Sequence, residues 1–123
     1  MKRFLLFLSI FVAGLLMASC GSSSPSEVTN SYYKALQKGD FKKALTYTTI
    51  EDEAEIKQEI EKMEGLEVKI PEFDIVSEEI AEDGTTAVVE VKYKFTSSFN
   101  SEPEESTNNV KLVKKDGKWK IKG

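Results

Sequence analysis

Tyr32-Tyr33-Lys34-Ala35-Leu36-Gln37-Lys38-Gly39-Asp40-Phe41-Lys42-Lys43-Ala44-Leu45 is a stretch in which one helix stops and another starts. Val28, Tyr32, Leu36 and Ala35 recur at helical spacing and form one apolar stripe. Tyr33 lies off that stripe and is expected to cover the other side of the helix. Gly39 ends the helix because it tolerates positive φ. Asp40 then caps a short second helix with Phe41, Ala44, Leu45 and Thr48 on its inner face. Upstream, Ser24-Pro25-Ser26-Glu27 reads as the start of the first helix. Ser24 is the N-cap, Pro25 suits the first helical position, and Glu27 closes a capping box.

Downstream the spacing predicts a third helix. Thr49 is its expected cap, with Glu51, Asp52 and Glu53 crowded into a first turn that favours negative charge. Ala54, Ile56, Ile60 and Met63 form its apolar side, and Gly65 ends it. The period then changes from 3.6 to 2. Leu66, Val68 and Ile70 alternate up to Pro71, a poor residue for a central strand. Phe73, Ile75 and Ile80 make a second extended segment, and Glu82-Asp83-Gly84 is a turn. Ala87, Val89, Val91, Tyr93 and Phe95 alternate with Val88, Glu90, Lys92 and Lys94, which marks a strand with one buried face. Ser97 to Asn109 is polar and reads as a loop or loose edge. Val110 to Val113 resumes a strand, Lys115-Asp116-Gly117-Lys118 turns the chain, and Trp119 and Ile121 complete it. Helices followed by an antiparallel meander give an α+β fold.

These two ends carry a resemblance. Tyr32 to Leu45, with its Gly39-Asp40-Phe41 break and Ala44 in the short helix, resembles the opening of nuclear transport factor 2-like domains. Lys115-Asp116-Gly117-Lys118-Trp119-Lys120-Ile121 is similar to their final hairpin. With the N-terminal segment described next, the chain resembles small bacterial lipoproteins of that fold. The resemblance covers Pro25 to Lys122. It implies a cone, with N-terminal helices packed on a curved antiparallel sheet and often a cavity between them. It implies ligand-binding, dimerisation or isomerase and dehydratase roles, among which fold does not choose.

Residues 1–19 read as a signal peptide. Met1-Lys2-Arg3 is a positive start, Phe4 to Leu16 is an apolar run broken by Ser9 and Gly14, and small residues precede Cys20. As a helix, Phe4 to Ala18 would reach only about 22 Å, short of the roughly 30 Å hydrocarbon core. The chain has one Cys, so no internal disulfide forms. Leu16-Met17-Ala18-Ser19-Cys20 resembles a bacterial lipobox, with Met17 where Leu is usual. The resemblance implies lipidation of Cys20, a tether over residues 20–24, and one domain over 25–123. The expected location is the cell envelope, outside the cytoplasm. That is the periplasmic face of an outer membrane, or the outer face of the plasma membrane where there is only one membrane.

Removing Lys2 and Arg3 leaves 15 Lys against 21 Asp+Glu, a net charge of −6. That balance argues against a nucleic-acid partner. The mature chain has no His, no Arg and no spare Cys, so the usual zinc, haem and iron–sulfur ligands and the Ser-His and Cys-His nucleophiles are missing. No cofactor and no metal is expected. Tyr32, Tyr33, Tyr47, Tyr93 and Trp119 are the candidate pocket-lining residues, phenols being suited to an apolar ligand that needs hydrogen-bond handles. Asp74, between Phe73 and Ile75, is the acid in the most apolar context, but alternation turns it to solvent. Glu51, Asp52, Glu53 and Glu55 lack calcium-loop spacing and read as a solvated helix start. The expected function is a non-catalytic, membrane-tethered protein that binds a small apolar ligand or an envelope protein. The alternatives are an isomerase or dehydratase working with Tyr and carboxylates, or a structural module forming a homodimer.

Overall fold

The computed structural model describes residues 23–123. The expected signal peptide, Cys20 and the first part of the expected tether lie outside the described residues. Three helices precede four strands: α1 (Pro25–Gln37), α2 (Phe41–Leu45), α3 (Glu53–Gly65), β1 (Lys69–Ile80), β2 (Thr86–Ser97), β3 (Asn100–Lys115) and β4 (Lys118–Ile121). The strands form one curved antiparallel meander in the order β1-β2-β3-β4. This is the expected α+β arrangement. Among the described residues, no helix is long and apolar enough to cross a membrane.

Local chemistry explains the helix ends. The Ser24 hydroxyl accepts from the Glu27 amide at 3.1 Å, and the Glu27 carboxylate accepts from the Ser24 amide at 3.0 Å, which completes the capping box. α1 stops in a Schellman motif: Gly39 N–H donates to Leu36 O and Asp40 N–H to Ala35 O, with Gly39 at φ +74°. The Asp40 carboxylate then accepts from the Lys43 amide and starts α2.

The third helix departs from expectation at both ends. Asp52, not Thr49, is the cap, accepting from the Ala54 amide at 3.0 Å. Thr49 instead lies along the sheet edge, where its amide donates to Ile121 O. Gly65 is the last helical residue rather than the stop. A second Schellman motif follows it: Glu67 N–H donates to Glu64 O and Val68 N–H to Met63 O. The left-handed position falls on Glu67, at φ 51°. A side chain there carries a steric cost that Gly does not. Glu67→Gly is therefore expected to raise the stability of the domain by about 0.5–1 kcal/mol, read as a higher urea midpoint with unchanged slope.

The sheet corrects two further expectations. Leu66 closes α3 and is exposed, and the two short extended segments around Pro71 are one strand, β1. Its register slips between Lys69 and Glu72 and between Ile75 and Ser77, so Pro71 sits in an irregularity on an edge strand. Of the two readings of Ser97 to Asn109, the loop fails and the edge holds, since β4 pairs only with Leu112 to Lys115. Asn100 onward pairs with β2 (Glu104 with Phe95, Ser106 with Tyr93, Asn108 with Val91), and the turn at Ser98-Phe99 is short. That half of the hairpin is held by backbone pairing and leaves few of its side chains buried, which is why it shows no apolar alternation. The last turn is as read: Asp116 (φ 54°) and Gly117 (φ 78°) both take positive φ, as a type I′ hairpin requires.

The core lies between α1–α2 and one face of the sheet. Ala87, Val89 and Val91 of β2, Val110 and Leu112 of β3, and Trp119 and Ile121 of β4 meet Val28, Leu36, Phe41 and Ala44. The tyrosines of α1 are the reverse of the expected arrangement. Tyr33 is buried (4% exposed) and Tyr32 only half-buried. Thr29 is the reason. Its hydroxyl donates to Pro25 O at 2.8 Å, so it enters the core without an unsatisfied group and widens the buried face towards Tyr33.

Candidate functional site

A cleft of about 560 Å³ opens between α1, α3 and the sheet. α1 contributes Tyr32, Tyr33 and Leu36. The sheet contributes Ile70, Tyr93, Phe95, Asn108 and Val110. α3 closes one side with Glu55, Glu59 and Met63, which fall four residues apart and share one helix face. No residue of α3 is fully buried, and Ile56, Ile60 and Met63 are only half-covered. α3 thus shields the cleft without filling it.

Aromatic rings form the wall. Tyr33 stands at their centre, with ring centroids 5.4 Å from Tyr32, 5.3 Å from Phe73 and 5.7 Å from Tyr93. Phe95 continues the row, 5.8 Å from Tyr93. Such edge and tilted contacts are favourable for aromatic quadrupoles. The Asn108 side-chain amide donates to the Tyr33 hydroxyl oxygen at 3.4 Å. The proton of that hydroxyl has no acceptor among the described residues.

Burial, then the neighbouring Tyr33, Glu59 and Tyr93, pushes the Tyr32 phenol up to about 12. Burial also raises the Tyr33 phenol, against the lowering effect of the Asn108 donation. Both rings therefore present a neutral O–H across the neutral range. Because the folded Tyr32 value lies above its ordinary 10.0, Tyr32 contributes its full stability below pH 10 and loses it as the pH climbs towards 12. A tyrosinate absorbance titration should show one phenol ionising near pH 12 that disappears in Tyr32→Phe.

Three of the five candidate pocket residues, Tyr32, Tyr33 and Tyr93, meet in this cleft. Tyr47 and Trp119 lie elsewhere. Tyr47 sits after α2, and its carbonyl accepts from the Ile121 amide at 2.8 Å. Trp119 is in the core, with the Lys114 ammonium 5.4 Å from its ring centroid. Asp74 is exposed, as alternation predicted. Sequence reading missed Asn108 and Glu59. Asn108 lies two residues before Val110, so carrying the period-2 pattern back through the polar stretch reaches it. Glu59 lies midway between Glu55 and Met63 on a helix face whose apolar side drew attention instead.

A larger surface groove of about 810 Å³ runs past Gly39, Phe41, Val68 and Pro71. Its charged groups, Lys38, Glu67 and Lys69, are all exposed, so it lacks the buried polar groups of a ligand site.

Comparison with known proteins supports the architecture. An NTF2-like protein of Campylobacter jejuni, proposed as a transpeptidase, superposes with a TM-score of 0.54 at 22% identity, covering 82% of this chain and 99% of that one. Two proteins proposed as polyketide cyclases are similar. The one from Xanthomonas campestris pv. campestris gives a TM-score of 0.53 at 14% identity, covering 80% of this chain and 89% of its own. The one from Pseudomonas putida KT2440 gives 0.52 at 17% identity, covering 80% and 90%. At these identities the likeness establishes a nuclear transport factor 2-like fold and nothing about activity. No curated protein matches the chain. A family model does, over residues 18–122, and by that match the chain belongs to the family described as domain of unknown function DUF4878.

Proposed function

We propose that this chain is a lipid-anchored, non-catalytic protein of the cell envelope whose cleft holds a small apolar ligand. The observation that carries the binding reading is the cleft itself. It is open, walled by Tyr32, Tyr33, Tyr93 and Phe95, and contains the buried Tyr33 hydroxyl with an unspent proton. An apolar molecule bearing one hydroxyl or carbonyl oxygen matches that lining. The anchoring reading rests on the residues around Cys20. Several acyl chains on that thiol would hold the domain stably, each buried CH₂ contributing about 0.8 kcal/mol.

Cys20→Ser is expected to move the protein from the membrane to the soluble fraction of fractionated cells. Retention in the membrane fraction would overturn the anchor. For the cleft, titration with 2-naphthol, an apolar ring system with one hydroxyl, should shift the ring resonances of Tyr33 and Tyr93 together. Unchanged ring resonances at saturating probe would count against a binding cleft.

A second reading, proton transfer, has one observation in its favour. Glu59 and Tyr32 line the same cleft, a carboxylate and a phenol at the edge of an apolar space, and the carboxylate adds to the burial that raises the phenol. It predicts a turnover lost in Glu59→Gln, whereas the binding reading predicts no turnover to lose.

A further inference from the structure

The last strand pair differs electrostatically from the rest of the protein. Lys111, Lys114, Lys115, Lys118, Lys120 and Lys122 stand against the single acid Asp116. From Cys20 to Val110 the balance is 9 Lys against 20 acids. A chain with an acidic total thus gathers a net +5 into the β3–β4 hairpin. We propose that this hairpin is the face the domain turns to the membrane, docking its lysines on anionic lipid headgroups. The proposal rests on the reading of Cys20 as the anchor.

Three features of the fold support it. The first is position. α1 begins beside β1, where the Ser26 amide donates to the Glu78 carboxylate at 2.9 Å. Glu78 pairs with Val89, and Val89 with Val110, the neighbour of Lys111. The start of α1 and the basic hairpin therefore share one end of the sheet. The opposite end, at the β2–β3 turn, carries Glu102, Glu104 and Glu105. The second feature is reach. Cys20 to Ser24 spans at most about 14 Å when extended. The domain cannot move far beyond the field of a charged surface, which decays over about 8 Å at physiological salt.

The third feature is the arrangement of side chains. Cross-strand register puts Lys115 opposite Lys118 and Val113 opposite Lys120, and the Lys122 amide donates to Lys111 O. Alternation then sets Lys111, Lys115, Lys118, Lys120 and Lys122 on the sheet face away from the core. Lys115 meets Glu51 at 3.3 Å and Lys120 donates to Thr46 O. Lys111, Lys118 and Lys122 have no ion pair among the described residues. Beside Lys111 and Lys122 a groove of about 480 Å³ reaches the exposed Val88 and the half-buried Val113, with Glu79 and Glu82 on its far side. Cations along the β3–β4 rim of a small apolar groove match an anionic amphiphile better than a soluble anion. Glu79 faces Lys111 across Val88, two strands and about 10 Å away, so the acids keep to the β1 side of the groove and the lysines to its β3–β4 side.

The single thiol makes the test clean. The chain from Cys20 contains every described element, and Cys20 is coupled to a maleimide lipid in phosphatidylcholine vesicles with or without phosphatidylglycerol. Lysine acetylation is then followed by peptide mass spectrometry. On the anionic vesicles Lys111, Lys118 and Lys122 should label about three- to fivefold more slowly than on the neutral ones, and high salt should remove the difference. Lys34, Lys38 and Lys57 should not change. Equal labelling on both vesicles, or protection centred on Lys34 to Lys57, would overturn the proposal and leave the basic edge to an acidic protein partner. The synthetic anchor makes this result independent of the native lipid. Whether Cys20 is acylated in the cell is decided separately by the Cys20→Ser fractionation.

Discussion

Leu112→Ala should lower the unfolding free energy of the domain by about 3 kcal/mol. Leu112 is 1% exposed and lies at the centre of the sheet, paired with Ala87 on one side and Ile121 on the other. Ala87 is too small to fill the vacated space, and Val89 and Val110 are held by their own strand pairing. The cavity term therefore adds to the lost transfer energy. A domain of this size has roughly 5–15 kcal/mol in total, so the change consumes a large fraction of it. Urea unfolding followed by far-UV circular dichroism measures the effect, as a lower midpoint at unchanged slope. The neighbouring Val113, half-buried on the outer face, should lose less than about 1 kcal/mol on truncation to Ala. Equal costs at the two positions would mean that the core is not on the helix-covered face.

Tyr33→Ala is the second large effect, and it acts on stability and binding together. The ring touches Tyr32, Phe73 and Tyr93, so its removal opens the aromatic wall from within. The expected loss is about 3–4 kcal/mol, with the 2-naphthol response abolished. Tyr33→Phe separates the two roles. It keeps the ring contacts and removes the hydroxyl that Asn108 touches, a bond of 3.4 Å between a buried oxygen and an exposed amide. Stability should change by less than about 1 kcal/mol, while affinity for a probe bearing a hydroxyl falls and affinity for naphthalene itself does not. A Tyr33→Phe variant that loses both ligands equally would assign Tyr33 to packing alone.

The fold was legible wherever one local rule governed a segment. Ser24 to Glu27, Gly39-Asp40 and Asp116-Gly117 each combine cap or turn chemistry with a backbone geometry that few other residues allow. The alternation from Ala87 to Phe95 needed no tertiary information either. Reading failed where tertiary contact or plain backbone pairing replaced a side-chain signal. The left-handed turn after α3 falls on Glu67, although Gly65 is two residues away, because the Schellman bonds from Glu67 and Val68 fix the register. Asn100 to Asn109 pairs as a strand while exposing polar groups on both faces, so neither period 2 nor apolar content marks it.

The candidate site was legible in part for the same reason. Tyr32, Tyr33 and Tyr93 could be named because apolar phenols are few in this chain. Which side of α1 each occupies depended on Thr29 entering the core, and a hydroxyl that satisfies itself on Pro25 O leaves no trace in an apolar pattern. Asn108 and Glu59 become visible only when β3 and α3 are brought over α1. Trp119 was set apart by its size, yet the register of the last hairpin turns it into the core rather than the cleft.

The most direct test of an anchored binding protein is native mass spectrometry on the chain extracted gently from its own membranes, before and after denaturation. The expected result is a chain lacking residues 1–19, carrying acyl mass on Cys20, with a further small-molecule mass that is released on unfolding and absent from Tyr33→Ala. A chain with a free Cys20 thiol and the same mass before and after denaturation would contradict both the anchor and the occupied cleft.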